Sequence, residues 1–125
     1  MNTSMPPELS RLLRRIRRFN QERDWEKYHS PKNLVMGLMI EAAELAEHFL
    51  WLESGESRSL PPKKLKLLKD EIGDVVIHLL NLCDALGIDP VTAAGSKLEQ
   101  NRKKYPAERV RGKALKYTEY TVTRS

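Results

Sequence analysis

Two acidic pairs, Glu41 with Glu44 and Glu71 with Asp74, stand inside otherwise apolar stretches of the sequence. The first pair lies within the run 34-LVMGLMIEAAELAEHFLWL-52, and the second has a similar apolar setting. Residues three apart lie on one face of a helix, because each residue turns the helix by about 100°. Each stretch therefore predicts a helix that uses its apolar side chains for packing and also carries one acidic pair.

The two stretches share a longer spacing pattern, with polar or aromatic side chains at offsets 0, +3, +7 and +10. The sets are Glu41, Glu44, His48 and Trp51 in the first stretch and Glu71, Asp74, His78 and Asn81 in the second. The positions of each set lie within about 80° of one another around a helix, so each set forms one polar stripe. Two facing helices would bring the stripes together.

A meeting of four carboxylates would need neutralisation. Two carboxylates about 5 Å apart repel by roughly 3 kcal/mol at an effective dielectric constant near 20, a large fraction of a small domain's stability. Protons, Lys or Arg partners, or a cation could offset this cost. Oxygen ligands favour a hard cation, so the pattern predicts Mg²⁺, with Mn²⁺ as an alternative. Taken alone, either pair would more often be a solvated face.

The nearby histidine, tryptophan and cysteine side chains favour structural roles when each is considered alone. His48 and His78 could each be a ligand or a base, and a hydrogen-bonded structural histidine is the favoured interpretation of His48. Trp25 and Trp51 are more often core residues than ligand platforms. Cys83, on an apolar helix, is interpreted as a small core residue.

Helical periodicity and capping signals predict four helices, over residues 7–28, 31–53, 62–86 and 90–104. Residues 54–59 have the composition of a loop, and residues 117–123 have strand propensity without a visible partner. The sequence therefore predicts an all-α fold whose helices pack as a bundle.

Composition narrows the class of protein. The chain has 125 residues, of which 40% are hydrophobic, and this suits one compact domain. Without a charge-free spanning run, a signal peptide or more than one cysteine, it is expected to be cytoplasmic, with no membrane partner. The net charge of +5 suits either a nucleic acid or a small polyanion such as a nucleoside triphosphate.

The spacing Glu41-x-x-Glu44, twenty-six residues, then Glu71-x-x-Asp74 resembles the metal motif of the MazG-like, all-α nucleoside triphosphate pyrophosphohydrolases. Further segments are similar to the dCTP pyrophosphatase branch of that superfamily. These are 19-FNQERDWEKYHSPKNL-34, 41-EAAELAEHFLW-51, 97-KLEQNRKKYP-106 and 111-RGKALKYTEY-120. The resemblance implies an enzyme that cleaves a nucleoside triphosphate between its α- and β-phosphates and releases pyrophosphate. A deoxycytidine-type triphosphate, 5-substituted forms included, is the expected substrate.

The resemblance also implies roles for individual residues. The four acids would hold Mg²⁺ and form the catalytic centre, and six further residues would bind substrate. Those implied near the base are Trp25, His29 and Trp51, those implied near the phosphates are Lys97, Asn101 and Tyr105, and His78 is a candidate for reading the base edge. Two positions differ from that branch: His78 stands where the eukaryotic enzymes have tyrosine, and Ile16 where they have histidine.

The resemblance further implies a four-helix MazG-like bundle assembled as a dimer or a dimer of dimers. Apolar residues on more than one face of the helices agree with self-association. Residues 1–106 are expected to form the helical domain. Residues 107–125 would be a basic extension of it or an oligomer contact.

Three other functions are compatible with parts of the sequence. A helical nucleic-acid-binding protein without hydrolase activity would explain the basic run 11-RLLRRIRR-18 but leave the acidic stripes unexplained, so no nucleic-acid partner is expected. A di-iron or di-manganese bundle would use Glu-x-x-His at i, i+3, whereas His78 follows Asp74 by four. A scaffold or antitoxin-like role stays open at this point.

Overall fold

The computed structural model describes residues 5–114 and 118, and every regular element within them is helical. The elements, in chain order, are α1 (Pro7–Glu22), a 3₁₀ turn (Glu26–Tyr28), α2 (Pro31–Glu47), α3 (Ser54–Ser57), α4 (Pro62–Leu86), α5 (Pro90–Lys104) and α6 (Ala107–Val110). The predicted all-α class is confirmed.

The chain divides into two compact units, one ending at Asp89 and the other beginning at Pro90. The first unit holds α1 to α4, and the second holds α5 and α6. The expected boundary between residues 106 and 107 stays a prediction.

The first helix is shorter than predicted, since α1 ends at Glu22 rather than near residue 28. Asp24 has a φ of 53°, in the left-handed region that interrupts a right-handed helix. The Trp25 amide then donates to the Asn20 carbonyl at 3.0 Å, and the chain re-enters a short 3₁₀ turn. This break carries Trp25 and His29 off the helix.

The second helix begins as predicted and ends early. Ser30 caps α2, because its hydroxyl accepts the Asn33 amide at 3.2 Å, and Pro31 occupies the first turn. The predicted end near residue 53 is wrong, since α2 ends at Glu47 and tighter turns follow.

The predicted loop over residues 54–59 contains the four-residue helix α3. Glu53 and Glu56 form a reciprocal capping box there, in which the Glu53 amide donates to Glu56 Oε1 at 3.0 Å. A loop-like composition concealed this local hydrogen bonding.

The third predicted helix agrees with α4, which runs from Pro62 to Leu86. Gly87 ends it with a φ of 67°, and the Ile88 amide donates to the Cys83 carbonyl at 2.9 Å. Glycine suits this position because it has no Cβ to oppose the left-handed conformation.

The first unit packs α2 and α1 against α4. Its most buried apolar side chains are Leu13, Ile16, Leu34, Leu68 and Leu80. Cys83 is only half-buried, so its expected place as a core residue is met in part. Polar contacts also join α1 to α4: the Arg17 guanidinium pairs with the Asp84 carboxylate, and the Asn20 amide donates to Asn81 Oδ1 at 2.9 Å.

In the second unit, α5 begins at Pro90 and ends at Lys104, as predicted. Pro106 follows and α6 begins at Ala107, beyond the four helices that the sequence predicted. The strand propensity of residues 117–123 concerns positions that lie outside the described residues, apart from Thr118.

Among the described residues, no one helix combines the length and hydropathy needed to cross a membrane. The helices Pro62–Leu86 and Pro90–Lys104 pass such a test by length and composition only when they are taken together.

Candidate metal centre and adjoining cavity

The two acidic pairs meet between α2 and α4. Glu41, Glu44 and Glu71 each offer a carboxylate oxygen, and these three oxygens lie within 4.8 Å of one another. Asp74, one turn beyond Glu71, is near enough to raise the pKa of Glu41. At the other end of the contact, His48 on α2's C-cap faces Glu71. This order of neighbours shows that α2 and α4 run antiparallel, with their polar stripes facing each other.

The cluster leaves Glu41 poorly neutralised. Burial, followed by the Coulombic repulsion of Glu44, raises the pKa of the Glu41 carboxyl above its ordinary value, and proximity to Asp74 adds to the effect. His78 acts in the opposite direction. One oxygen each of Glu41 and Glu71 is buried without a hydrogen-bond partner in the described part of the chain. Such an oxygen costs free energy unless a proton or a cation engages it.

These residues fit a hard divalent cation. The set is made of oxygen donors alone, three of them close enough to share one ion, and two members carry buried oxygens without a partner. No histidine or cysteine joins the group within the described residues, which disfavours zinc.

His78 lies at the junction between the cluster and a neighbouring cavity. Its Nδ1 is 2.9 Å from the carbonyl oxygen of Asp74, which can only accept, so Nδ1 carries a proton. The ring lies against the backbone of α2 at Gly37, where a Cβ would stand 2.9 Å from His78 Cδ2. Glycine at position 37 therefore makes room for the imidazole.

The cavity has a volume of about 440 Å³ and lies between α1, the segment after it, and α4. Predicted residues Trp25, His29, Asp74 and His78 all line it, and the rest of its wall includes Leu12, Arg15, Ile16, Phe19, Asn20, Ile77 and Asn81. Trp25 is 45% exposed, so its interpretation as a core residue is wrong. Its ring meets Phe19 edge-on, with centroids 5.6 Å apart. Asp74 borders both the cavity and the acidic cluster.

Trp51 does not lie on the helical stripe, contrary to the spacing argument. Because α2 ends at Glu47, Trp51 falls in the turn that follows, where its side chain is 92% exposed. The alternative that it is a core residue is wrong for the described chain as well. Trp51 is also absent from the wall of the cavity that holds Trp25.

The three residues implied near the phosphates belong to the second unit. Lys97 and Asn101 lie one turn apart on α5, and Tyr105 follows directly after this helix. The Tyr105 amide donates to the Asn101 carbonyl at 2.8 Å. Arg102, another cation of α5, is bound to Glu99 through both Nε and a terminal nitrogen.

Sequence reasoning placed Asn81 on a polar stripe, but it assigned neither Asn81 nor Asn20 to the site. Asn20 and Asn81 join α1 to α4 at the cavity wall; Asn81 had the stripe spacing, and Asn20 is a buried amide in an apolar helix face. Lys64 was also missed: its ammonium lies 3.0 Å from His48 Nδ1. No spacing rule connects residues from two different helices, so this contact could be identified only from the three-dimensional structure.

Comparison with known proteins agrees with this architecture. The sequence profile of the MazG-like family matches residues 37–119. Mouse dCTP pyrophosphatase 1 is 40% identical over 118 residues, covering 93% of this chain and 69% of that protein. The human protein of the same name is 39% identical over the same length and with the same coverage.

A solved structure of a pyrophosphatase is also similar to this chain. The crystal structure of a pyrophosphatase from Archaeoglobus fulgidus superposes with a TM-score of 0.77 at 39% identity, covering 85% of this chain and 99% of that one. The predicted enzyme class, a nucleotide pyrophosphohydrolase, is confirmed by these relatives. The chain belongs to the MazG-like family.

Proposed function

We propose that this enzyme hydrolyses a deoxycytidine-type triphosphate between its α- and β-phosphates, giving the monophosphate and pyrophosphate. The observation that carries the proposal is the place of Asp74, which borders both the acidic cluster and the aromatic cavity. A nucleotide whose phosphates are bound at the cluster could therefore place its base in the cavity. The names of the mouse and human relatives favour dCTP.

Glu41, Glu44, Glu71 and Asp74 are the proposed ligands of Mg²⁺, or of Mn²⁺ in its place. When bound, such an ion neutralises phosphate charge and lowers the pKa of a coordinated water. Glu44 is the proposed acceptor of the water's proton, because it is the most exposed of the three clustered glutamates. The buried, unpartnered oxygens of Glu41 and Glu71 support their assignment as ligands.

The cavity is the proposed base site. Its volume of about 440 Å³ is within the range of small-molecule sites. Trp25 offers a half-exposed indole on which a flat base can stack, worth roughly 1–3 kcal/mol. His29, His78 and Asn81 supply the polar groups that could read the edge of the base.

Lys97, Asn101 and Tyr105 are proposed to act on the far phosphates, as the family resemblance implies. Lys97 is an exposed cation on α5, whereas the guanidinium of Arg102 is bound to Glu99. Stabilisation of the leaving pyrophosphate needs a cation that is free to bind it, so Lys97 is the better candidate of the two.

Self-association is proposed as well. Trp51 is 92% exposed, and Leu50 and Met39 expose more than three-fifths of their surface. Large exposed apolar residues of this kind commonly mark a subunit interface. Light scattering should give a mass of at least twice the 14.4 kDa of one chain at micromolar concentration; a 14.4 kDa species would contradict this.

The test is a panel of nucleoside triphosphates assayed for pyrophosphate release with Mg²⁺ and with a chelator. We expect dCTP and 5-methyl-dCTP to be cleaved fastest, dTTP and UTP more slowly, and turnover to stop without a divalent cation. Glu71→Gln should abolish turnover, while Glu47→Gln, an exposed residue on the same pair of helices, should retain it. A clear purine preference would refute the base assignment, and cleavage by Glu71→Gln would refute the metal assignment.

A further inference from the structure

His48 connects a lysine to the acidic cluster. Lys64 Nζ lies 3.0 Å from His48 Nδ1, and His48 Nε2 lies 3.8 Å from Glu71 Oε1. The three residues come from the first turn of α4, the C-cap of α2 and the middle of α4. The side chains of His48 and Glu71 are only 20% and 24% exposed. A solvent-facing charge pair would not be enclosed to this degree.

Hydrogen-bond chemistry fixes which atoms donate and which accept between Lys64, His48 and Glu71. A lysine ammonium has only donors, so His48 Nδ1 must accept from Lys64. The proton of the neutral imidazole is then on Nε2, the nitrogen that faces Glu71. The N–H of His48 thus points toward the carboxylate from outside the cluster. The separation of 3.8 Å is longer than a hydrogen bond but within reach of a small side-chain rotation.

We propose that His48, with its tautomer set by Lys64, is a positioning residue for Glu71. The Nε2–H of His48 holds Glu71 Oε1. This leaves Glu71 Oε2, which is buried without a partner, directed to the cation. The inference rests on the proposed function, because it assumes that Glu71 is a metal ligand. Outer groups that orient a ligand in this way commonly change metal affinity by about 10–100-fold when they are removed.

A direct role for His48 as a ligand does not fit the geometry. The set of donor atoms that could share one ion comprises three carboxylates and excludes His48, within the described residues. The imidazole contacts Glu71 through Nε2 and Lys64 through Nδ1. It can therefore act on the cation only through Glu71.

The competing explanation is that Lys64 acts only by its charge. The two explanations predict opposite changes in metal affinity for Lys64→Met. A positive charge near a cation site weakens binding, so a charge role predicts that Lys64→Met tightens metal affinity. The positioning role predicts weaker binding, because His48 loses the partner that sets its tautomer.

The experiment measures Mn²⁺ binding to the nucleotide-free, full-length protein, by the electron paramagnetic resonance signal of free Mn²⁺. We expect His48→Leu to raise the Kd by about 10-fold and Lys64→Met to raise it by a smaller factor. Lys66→Met removes the same charge from an exposed position of α4 and serves as the matched control. Its Kd should be unchanged or slightly lower.

Two further variants separate positioning from general damage to the fold. His48→Gln places an amide N–H near the position of Nε2 and should recover most of the affinity. Adding Lys64→Met to His48→Leu should cause no further loss, because the lysine acts through the histidine. Long-range ¹H–¹⁵N spectra should show His48 protonated on Nε2 in the wild type.

The outcomes distinguish this inference from the proposed function. Unchanged Kd in His48→Leu, or tighter binding in Lys64→Met, overturns the positioning role while the wild type still binds Mn²⁺ and releases pyrophosphate. Wild type that binds no Mn²⁺ overturns the metal assignment, and with it the positioning role. If His48→Leu fails to fold, an unchanged Kd in Lys64→Met would contradict the proposal.

Discussion

Replacing Glu41 by glutamine should stabilise the metal-free protein. At the 4.8 Å limit that bounds the three clustered oxygens, one carboxylate pair repels by about 3.5 kcal/mol at an effective dielectric constant of 20 and by about 0.9 kcal/mol at 80. Glutamine removes this charge, and its amide can donate to Glu44. Since Glu41 is partly buried and the cluster borders solvent, we expect a gain of about 1–3 kcal/mol, between these limits.

The assay is urea and thermal unfolding in the presence of a chelator. A gain of 1 kcal/mol raises the Tm of a domain of this size by roughly 3–6 °C. Glu47→Gln makes the same charge change at an exposed position of α2 and should change stability by less than about 0.5 kcal/mol. Saturating Mg²⁺ should make the wild type more stable than Glu41→Gln, because the wild type gains binding free energy that Glu41→Gln largely loses.

The stability gained by Glu41→Gln should depend on pH with a defined sign. The pKa of Glu41 is raised in the folded protein above its ordinary value of 4.5, so the folded state binds this proton more tightly than the unfolded state does. The advantage of Glu41→Gln should be complete at pH values above the raised pKa and should disappear as the pH falls toward 4.5. An equal or lower stability of Glu41→Gln at pH 8 without metal would refute the reasoning.

Three other substitutions test separate parts of the structure. Gly37→Ala places a Cβ 2.9 Å from His78 Cδ2, so its kinetic defect should match that of His78→Ala; normal kinetics would contradict the close packing. Trp51→Ala should leave the KM for dCTP unchanged, because Trp51 is absent from the wall of the cavity that is the proposed base site; a raised KM would restore the base-binding role that the family resemblance implies. Asp84→Asn should lower stability by about 1 kcal/mol in urea unfolding by weakening the paired bond to Arg17; no loss would show that the pair is fully screened.

Much of the fold was predictable because local signals determined it. Ser30 with Pro31 marked the start of α2, and Gly87 marked the end of α4. The errors have local causes too. The helix break at Asp24 depends on a left-handed backbone conformation that aspartate adopts only in some contexts. The end of α2 at Glu47 has no glycine or proline to signal it.

The acidic cluster was predictable because it follows from helical spacing and from one assumption, that the two stripes face each other. The cavity was predictable only in part, since His29 and Trp25 reach it through the irregular segment after α1. Spacing placed Trp51 on the stripe, and the early end of α2 removes it. Contacts between helices, such as Lys64 with His48, leave no periodic pattern in a single sequence.

The central claim is that water attacks the α-phosphorus of a deoxycytidine triphosphate. The most direct measurement is hydrolysis of dCTP with Mg²⁺ in ¹⁸O-labelled water, followed by ³¹P NMR and mass analysis of both products. We predict dCMP carrying one ¹⁸O atom and unlabelled pyrophosphate. Label in pyrophosphate, or release of dCDP and inorganic phosphate, would contradict the account.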